Sequence, residues 1–171
     1  MIIRHTDIEW AYPSVQLPPQ AFKKQRRKGA RAKGIAYERK VQTYLRKLWG
    51  YQYLPNPWIR YKLCSGSTHW CQPDGIHFDI KRGIVTIVEI KHSHTSGAYQ
   101  QLWELYGPVL RHVWPIPLWR YQYLEVVRYY DPHTFFPGIH RLRKTIEDVA
   151  PGETGVLIWN PRRSLASRAR S

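Results

Sequence analysis

The sequence predicts an α/β fold, in which helices and strands alternate along the chain. Two patterns indicate it: apolar residues recur every three or four positions in some stretches, as on one side of a helix, and at every second position or in β-branched runs in others, as in strands. With 171 residues, the chain has the length of one domain. We therefore expect a single domain that contains both kinds of element.

The first helix is predicted to run from Gly34 to Trp49, before a suitable stop at Gly50. Five of its residues follow each other at spacings of four, three, four and three, which places them on one stripe. These residues are Gly34, Glu38, Val41, Leu45 and Leu48. The carboxylate of Glu38 is then expected on a buried stripe, where it is costly unless it has a partner.

Strands are predicted on the carboxyl side of this helix. A short extended piece at Trp58–Leu63 leads to a turn at residues 64–67, and Asp74–Ile80 alternates between apolar and polar residues. Lys81–Gly83 is expected to form a turn, after which Ile84–Lys91 is rich in β-branched residues. We expect the last two extended segments to form a hairpin.

The rest of the chain continues the alternation. A second helix is predicted at Gly97–Val113, with a kink or an end at Gly107–Pro108. It is followed by a strand at Tyr121–Tyr130, a third helix at Ile139–Val149 and a last strand at Gly155–Trp159. This order of elements is typical of an α/β domain.

The residues with candidate chemistry lie on the hairpin. Side chains alternate along a strand, so Glu89 and Lys91 point to the same face, and Asp74 is expected across from them. Two converging carboxylates repel each other unless a cation lies between them. Mg²⁺, or Mn²⁺ in its place, takes one or two carboxylates together with water and phosphate oxygens. We therefore predict a metal-dependent phosphodiesterase, with these two acids and Glu38 on the metal and Lys91 on the attacking water.

A glutamine is a further candidate for the site. Gln101, near the start of the second helix, could hold the substrate phosphate or a water, and Gln100 is the neighbouring alternative. His92 and His94, in the loop that follows Lys91, are expected to be exposed.

The chain is strongly basic, with a formal charge of +15 and a pI near 10.1. Such an excess favours a polyanionic partner, most commonly nucleic acid. Seven cations without an intervening acid form an arm that we expect to grip phosphates, and Arg39 follows them on the first helix. The seven are Lys23, Lys24, Arg26, Arg27, Lys28, Arg31 and Lys33.

Between residues 33 and 113 the sequence resembles the PD-(D/E)xK nuclease superfamily. Lys33–Arg39 is similar to the first-helix motif of that family, Pro73–Asp74 to its metal-binding acid, and Glu89–Lys91 to its second acid and catalytic lysine. Gln101–Tyr106 is similar to the Gln-and-Tyr helix of the lambda-type and RecB-type exonucleases, although Tyr106 comes one position later. Cys64–Ser67 is similar to the Ser-Gly segment of the archaeal Holliday-junction resolvases, so both branches stay open.

This resemblance implies a restriction-endonuclease-like αβββαβ core with a mixed central sheet flanked by helices. It also implies a Mg²⁺- or Mn²⁺-dependent deoxyribonuclease of DNA recombination, DNA repair or phage DNA processing. In that interpretation residues 34–160 are the nuclease domain, residues 1–33 an N-terminal extension with the basic arm, and residues 161–171 a basic tail.

DNA is the expected partner. The protein itself is expected to be a homodimer or a member of a recombination complex. No apolar stretch reaches the length of a membrane span, and the start lacks the apolar block of a signal peptide. We therefore expect a cytoplasmic protein of a bacterial, archaeal or phage-infected cell. The alternative function is a basic nucleic-acid-binding module without catalysis, or a nuclease subunit that requires a larger recombination complex.

Overall fold

The computed structural model describes residues 2–16, 18, 29–131 and 140–161. In this part of the chain the protein is α/β, as predicted, with two sheets and two long helical stretches. Most of the basic arm and the last ten residues lie outside it, and they include five predicted phosphate-binding cations. These five are Lys23, Lys24, Arg26, Arg27 and Lys28.

The helices and strands have the following bounds. The helices are α1 (Ala30–Trp49) and a second stretch made of α2 (Ser96–Tyr99), a π-helical segment (Gln100–Tyr106) and α3 (Gly107–Val113). The strands are β1 (Ile8–Pro13), β2 (Tyr53–Pro55), β3 (Ile59–Leu63), β4 (Thr68–Cys71), β5 (Gly75–Asp79), β6 (Ile84–Ser93), β7 (Arg120–Tyr129), β8 (His140–Arg143) and β9 (Thr154–Ile158).

The larger sheet is mixed and has the strand order β2-β5-β6-β7-β9-β8. The predicted hairpin is present as the antiparallel pair β5–β6, whereas β6, β7, β9 and β8 run parallel to one another. Strand β6 is buried from Ile84 to Ile90 because it lies inside the sheet and is covered on both faces. Its nearly continuous β-branched sequence is typical of such a strand.

Alternate residues of the central strands enter two separate cores. On one face, Val85 and Ile87 of β6 pack with the second helical stretch and with the smaller sheet. On the other face, Val88 and Ile90 pack with α1. Because side chains alternate along a strand, Glu89 belongs to the first of these faces.

Helix α1 packs on the sheet through a stripe that differs slightly from the predicted one. Tyr37, Val41 and Leu45, spaced by four residues each, are buried. Leu48 was predicted on the buried stripe, which is wrong, because its side chain is 45% exposed. Glu38 lies at the margin of the stripe and is half-buried.

The second helical stretch does not end at Gly107–Pro108, where the sequence predicts a kink or an end. The chain stays helical, but the turns before Pro108 widen into a π-helix, in which the N–H of Gly107 donates to the carbonyl of Leu102. A proline cannot donate and its ring crowds the preceding turn, and a local π segment is one way to accommodate it. Gly107 also lies against Tyr123, whose hydroxyl would be 2.6 Å from an added Cβ.

The third predicted helix, at Ile139–Val149, is wrong for the residues that the structure describes there. Residues 140–143 form β8, which pairs in parallel with β9, and turns follow it. The spacing of Ile146 and Val149 suits a helix, but turns also bury both side chains in the core below α1. Pairing with β9 and the ion pair between Arg143 and Glu153 stabilise the extended form instead.

The smaller sheet has the order β1-β3-β4 and is antiparallel. Strand β1 and the buried Ile3 lie within the segment that we assign from the sequence to an N-terminal extension. Strands β1, β2 and β4 are not predicted by the sequence patterns, because each is short and β1 and β4 are largely exposed on one side. No helix among the described residues is long and apolar enough to cross a membrane.

Candidate active site

The three hairpin residues singled out in the sequence lie together where β5 begins and β6 approaches its end. Lys91 Nζ is 2.5 Å from Glu89 Oε1. Asp74 Oδ2 accepts a hydrogen bond of 2.6 Å from the backbone N–H of Ile90. Because Gly75 pairs with Val88 in the ladder, Asp74 comes opposite Glu89 at the next position. The expected arrangement of Asp74 across from Glu89 and Lys91 is therefore present.

Burial and mutual repulsion perturb both carboxyl groups. Burial, followed by the neighbouring charges of Glu89 and Glu38, raises the pKa of Asp74 to about 8, although the Ile90 N–H and Lys91 oppose the rise. Burial also raises the pKa of Glu89, against the effect of Lys91. The two acids therefore lack sufficient positive charge in their surroundings.

Glu38 joins this cluster from α1. The helix packs against the opposite face of the sheet from Glu89. Even so, the charge of Glu38 contributes to the raised pKa of both Asp74 and Glu89. The carboxylate therefore lies within electrostatic range of the pair.

The backbone of Asp74 is held by a group of polar residues that the sequence did not indicate. Gln42, buried on α1, donates from Nε2 to the Asp74 carbonyl at 2.5 Å and to Asn56 Oδ1 at 3.2 Å. Its Oε1 accepts from the Tyr53 hydroxyl at 2.8 Å. Tyr53 lies directly against Gly75, where an added Cβ would be 2.2 Å from its hydroxyl oxygen. A buried glutamine on an apolar helix stripe is the signal that could have identified this group.

The π-helical segment fixes the residues before Asp74 from the other side. Gln101 Nε2 donates to the Tyr106 hydroxyl at 3.3 Å, and that hydroxyl donates to the Gln72 carbonyl at 3.1 Å. These two helix residues are five apart, and the wide π turns bring such a pair together. Gln101 is half-buried, whereas the alternative Gln100 is exposed.

A second buried acid lies beside the site on β7 and was also missed. Glu125 is paired in register with Glu89 and is fully buried. Its Oε2 is 2.6 Å from His94 Nδ1, and it accepts a hydrogen bond from the Thr95 N–H. Burial raises the pKa of Glu125 to about 8 and lowers that of His94, so the pair is neutral near pH 7. The expectation that His94 is exposed is wrong, since Glu125 draws it into the interior.

The acid cluster fits a divalent cation. Glu89 Oε2 is buried and accepts no hydrogen bond within the described part of the chain. The donors are carboxylate oxygens, which suit Mg²⁺ or Mn²⁺. Among the described residues, no group of three or more His, Cys, Asp and Glu side chains is arranged to hold a metal. One or two carboxylates are enough for Mg²⁺ when water and substrate phosphate supply the remaining ligands.

The exposed side of α1 forms a basic surface. The helix contains six cations and one acid. Lys33 and Lys40 line a groove of about 290 Å³ together with Arg128 of β7. Arg128 and Lys33 also lower the pKa of His92, after the larger effect of burial, so this groove lies near the end of β6, on the face of the sheet that α1 covers and opposite Glu89. The six cations are Arg31, Lys33, Arg39, Lys40, Arg46 and Lys47.

Another cleft, of about 350 Å³, lies away from the acids, where His77 stacks on Trp49 at 4.2 Å. It is lined by residues from the opposite end of the hairpin, such as Arg82. We place the chemistry at Asp74 and Glu89 because the perturbed carboxylates are there.

Comparison of the chain with protein-family models, with curated proteins and with solved structures gave no match.

Proposed function

We propose that this protein is a metal-dependent nuclease that hydrolyses phosphodiester bonds in DNA. The observation that carries the proposal is the buried Glu89 carboxylate. One of its oxygens contacts Lys91, and the other has no hydrogen-bond partner among the described residues, beside Asp74. Burying two carboxylates without a sufficient counter-ion is costly, so a strand that served only the core would not need them.

Asp74 and Glu89 are the residues that would hold Mg²⁺ or Mn²⁺. Glu38 adds negative charge near them and suits contact through a bound water. When bound, such a cation polarises the phosphodiester and lowers the pKa of the attacking water.

Lys91 supplies the positive charge that the chain itself brings to the reaction. Its side chain is 29% exposed, so the ammonium group is open to a substrate while it contacts Glu89. An ammonium group donates three hydrogen bonds from a flexible stem, which suits it to orient a water against a phosphate. It also stabilises the negative charge that develops on the phosphoryl oxygens.

Gln42 and Tyr106 act as positioning residues in this proposal. The first fixes the carbonyl of Asp74 and the second fixes the carbonyl of Gln72, two residues earlier. The backbone is therefore held on both sides of Pro73, and the Asp74 carboxylate needs little reordering when a cation binds. Such preorganisation contributes to catalysis because the reacting geometry is already set.

The basic side of α1 is the proposed DNA-binding surface. It carries Arg31, Lys33 and Arg39 among its cations, and the groove with Arg128 lies beside the end of β6 that carries Lys91, on the opposite face of the sheet. Phosphate contacts by Lys and Arg position DNA without reading its sequence. The resemblance to PD-(D/E)xK nucleases supports DNA as the substrate, with an exonuclease and a junction resolvase as the two forms of the proposal.

The test is a cleavage assay with Mg²⁺, Mn²⁺ or EDTA on linear duplex, single-stranded, nicked and four-way-junction DNA. We expect metal-dependent cleavage by the wild type, and a loss of at least about 10²-fold in Lys91→Ala, because a preorganised charge on the developing anion is removed. Lys81→Ala is the matched control, since Lys81 is an exposed lysine at the opposite end of the same hairpin.

Each negative result has a defined meaning. Absence of cleavage on every substrate with either metal, or equal cleavage by Lys91→Ala and the wild type, contradicts the nuclease proposal. Tight binding in EDTA with no cleavage favours the non-catalytic binding module. Symmetric incision of the four-way junction would indicate a resolvase. Progressive removal of nucleotides from a DNA end would indicate an exonuclease.

A further inference from the structure

The outer face of the smaller sheet carries a group of aromatic side chains that the proposed nuclease site does not use. The inner face of this sheet is in the core, through residues such as Ile59, Tyr61 and Cys71. The outer side chains are partly exposed. We call this group the aromatic face, and its members are Trp10, Tyr12, Trp58, Arg60 and Trp70.

The register of the strands aligns the aromatic face across the sheet. Tyr12 pairs with Arg60, and Arg60 pairs with Trp70, so the three strands each place one of these side chains in the same row. Trp10 stacks on Tyr12 with ring centroids 5.1 Å apart and an interplanar angle of 20°. Trp58 meets Trp70 edge to face at 6.5 Å. The rings therefore form a continuous patch rather than isolated contacts.

A cation lies in the middle of this patch. Arg60 Cζ is 5.7 Å from the ring of Trp10 and 5.6 Å from that of Trp70. One of its terminal nitrogens donates to the Tyr12 hydroxyl at 3.2 Å. Among the described residues no acid forms an ion pair with Arg60, whereas the nearby Lys62 is paired with Glu9. The central charge is therefore not neutralised by the protein itself in that part of the chain.

Partly exposed aromatic rings and an uncompensated guanidinium fit a ligand that is both planar and anionic. Unpaired nucleotides have this chemistry, because each base offers a π-face and each phosphate a negative charge. In duplex DNA the base faces are covered by their neighbours in the stack. A face that stacks on bases would therefore distinguish single strands from duplexes, whereas contacts from the basic side of α1 to phosphates would not.

The chain connects this face directly to the acid cluster. Trp70 is the next to last residue of β4, and Asp74 follows it by four residues, a distance of at most ~13 Å along an extended chain. Gln72, between them, donates to the Asn56 carbonyl and accepts from Tyr106, so the connection is fixed. A strand lying on the aromatic face is then within a few nucleotides of the carboxylates.

We propose that the aromatic face binds unpaired bases of single-stranded DNA. This inference rests on the proposed function where it concerns cleavage: it makes a single strand, or a duplex with a single-stranded tail, the preferred substrate. Binding itself does not depend on the carboxylates.

The test is fluorescence anisotropy in EDTA, with a labelled oligo-dT and a blunt DNA hairpin duplex as probes. We expect Trp70→Ala to weaken oligo-dT binding about tenfold, because one base–aromatic stack is lost, and to leave duplex binding within about twofold. Trp70→Phe keeps a ring and should bind oligo-dT within about threefold of the wild type. Tyr51→Ala is the control, since Tyr51 is 92% exposed and outside the aromatic face; it should bind like the wild type.

The proposal is overturned if Trp70→Ala binds oligo-dT as the wild type does, if it loses oligo-dT and duplex equally, or if the wild type does not bind oligo-dT. A wild-type experiment covers the case in which Trp70→Ala does not fold. Photocrosslinking to an oligo-dT that contains 5-iodo-deoxyuridine should label Trp10, Tyr12, Trp58 or Trp70, and labelling confined to α1 contradicts the proposal. Since EDTA prevents metal-dependent cleavage, these results are independent of whether the protein cleaves DNA.

Discussion

Two glutamates lie side by side on the central strands; both are buried, have a raised pKa and keep one oxygen without a hydrogen-bond partner among the described residues, but they contact different groups. Glu89 on β6 and Glu125 on β7 are register partners on one face of the sheet. Glu89 contacts the partly exposed Lys91 and lies beside Asp74, with one oxygen that has no partner among the described residues. Glu125 is paired with His94, whose side chain is also fully buried.

From this difference we infer that Glu89 belongs to the proposed catalytic site and that Glu125 has a structural role beside it. A buried acid next to a second acid and an open lysine has unsatisfied charge and access to a ligand. A buried acid that contacts a buried histidine shares a proton with it inside the core, out of reach of a ligand. The first arrangement suits a cation and a substrate, and the second stabilises the loop that follows β6 through His94 and the Thr95 N–H.

The largest expected contrast is in activity. Glu89→Gln should lower the rate of DNA cleavage at saturating Mg²⁺ by at least about 10²-fold, because it removes a proposed metal ligand. Glu125→Gln should lower it by less than tenfold, because a neutral side chain of the same shape replaces a neutral one. Equal losses in the two variants, measured as initial rates on the same substrate, would remove the distinction between the glutamates.

The next contrast is in stability, and here the larger loss is expected on substitution of Glu125. Glu125→Ala should lower the free energy of unfolding by about 3 kcal/mol, because it leaves His94 buried without its partner and opens a cavity. Glu89→Ala should leave stability unchanged or raise it in the absence of metal, because a poorly compensated buried charge is removed. Urea denaturation in EDTA measures both, and a larger loss in Glu89→Ala would contradict this assignment.

A smaller effect is expected at the glycine that follows Asp74. Gly75→Ala should destabilise the protein by about 2 kcal/mol, because its Cβ would lie 2.2 Å from the Tyr53 hydroxyl oxygen and would displace the ring below the site. Gly34→Ala is the matched control: no atom lies within 4 Å of an added Cβ on that glycine in α1, so a stabilisation of about 0.5–1 kcal/mol is expected. The melting temperatures of both variants show whether the packing of Tyr53 against Gly75 leaves room for an added methyl group.

The last contrast is a dependence of stability on pH. The folded-state pKa of Asp74 is about 8, against an ordinary value of 3.8, so the folded protein keeps a proton that the unfolded chain releases. Stability therefore falls as the pH rises from about 4 to about 8, and levels off above that. Asp74→Asn has no such proton, so its melting temperature should exceed that of the wild type by an amount that grows over this range in EDTA. A constant difference would mean that Asp74 is not perturbed by its surroundings.

Much of the sheet and the main hairpin were predictable because long buried strands carry a strong local pattern. Asp74, Glu89 and Lys91 could be placed together for the same reason: strand alternation and one short turn fix their relative positions. The short strands β1, β2 and β4 could not, since they are defined by their partners rather than by their own residues. The error at residues 140–149 has this origin too, because pairing with β9 overrides an apolar spacing that also suits a helix.

The residues that support the site were missed for a different reason. Gln42 and Glu125 act through contacts with parts of the chain that are distant in sequence, such as Asp74 and His94. No local pattern reports such contacts. The available signal was a polar residue within an apolar helix stripe or strand. Only Glu38 was identified as a candidate from that signal.

The central claim is that Asp74 and Glu89, and not Glu125, form a divalent-cation site. Titration calorimetry with Mn²⁺ near pH 8, the value to which the pKa of Asp74 is raised, tests it without any substrate. We expect the wild type and Glu125→Gln to bind Mn²⁺, and Asp74→Asn and Glu89→Gln to lose this binding. Absence of binding by the wild type, or unchanged binding in Asp74→Asn and Glu89→Gln, would contradict it.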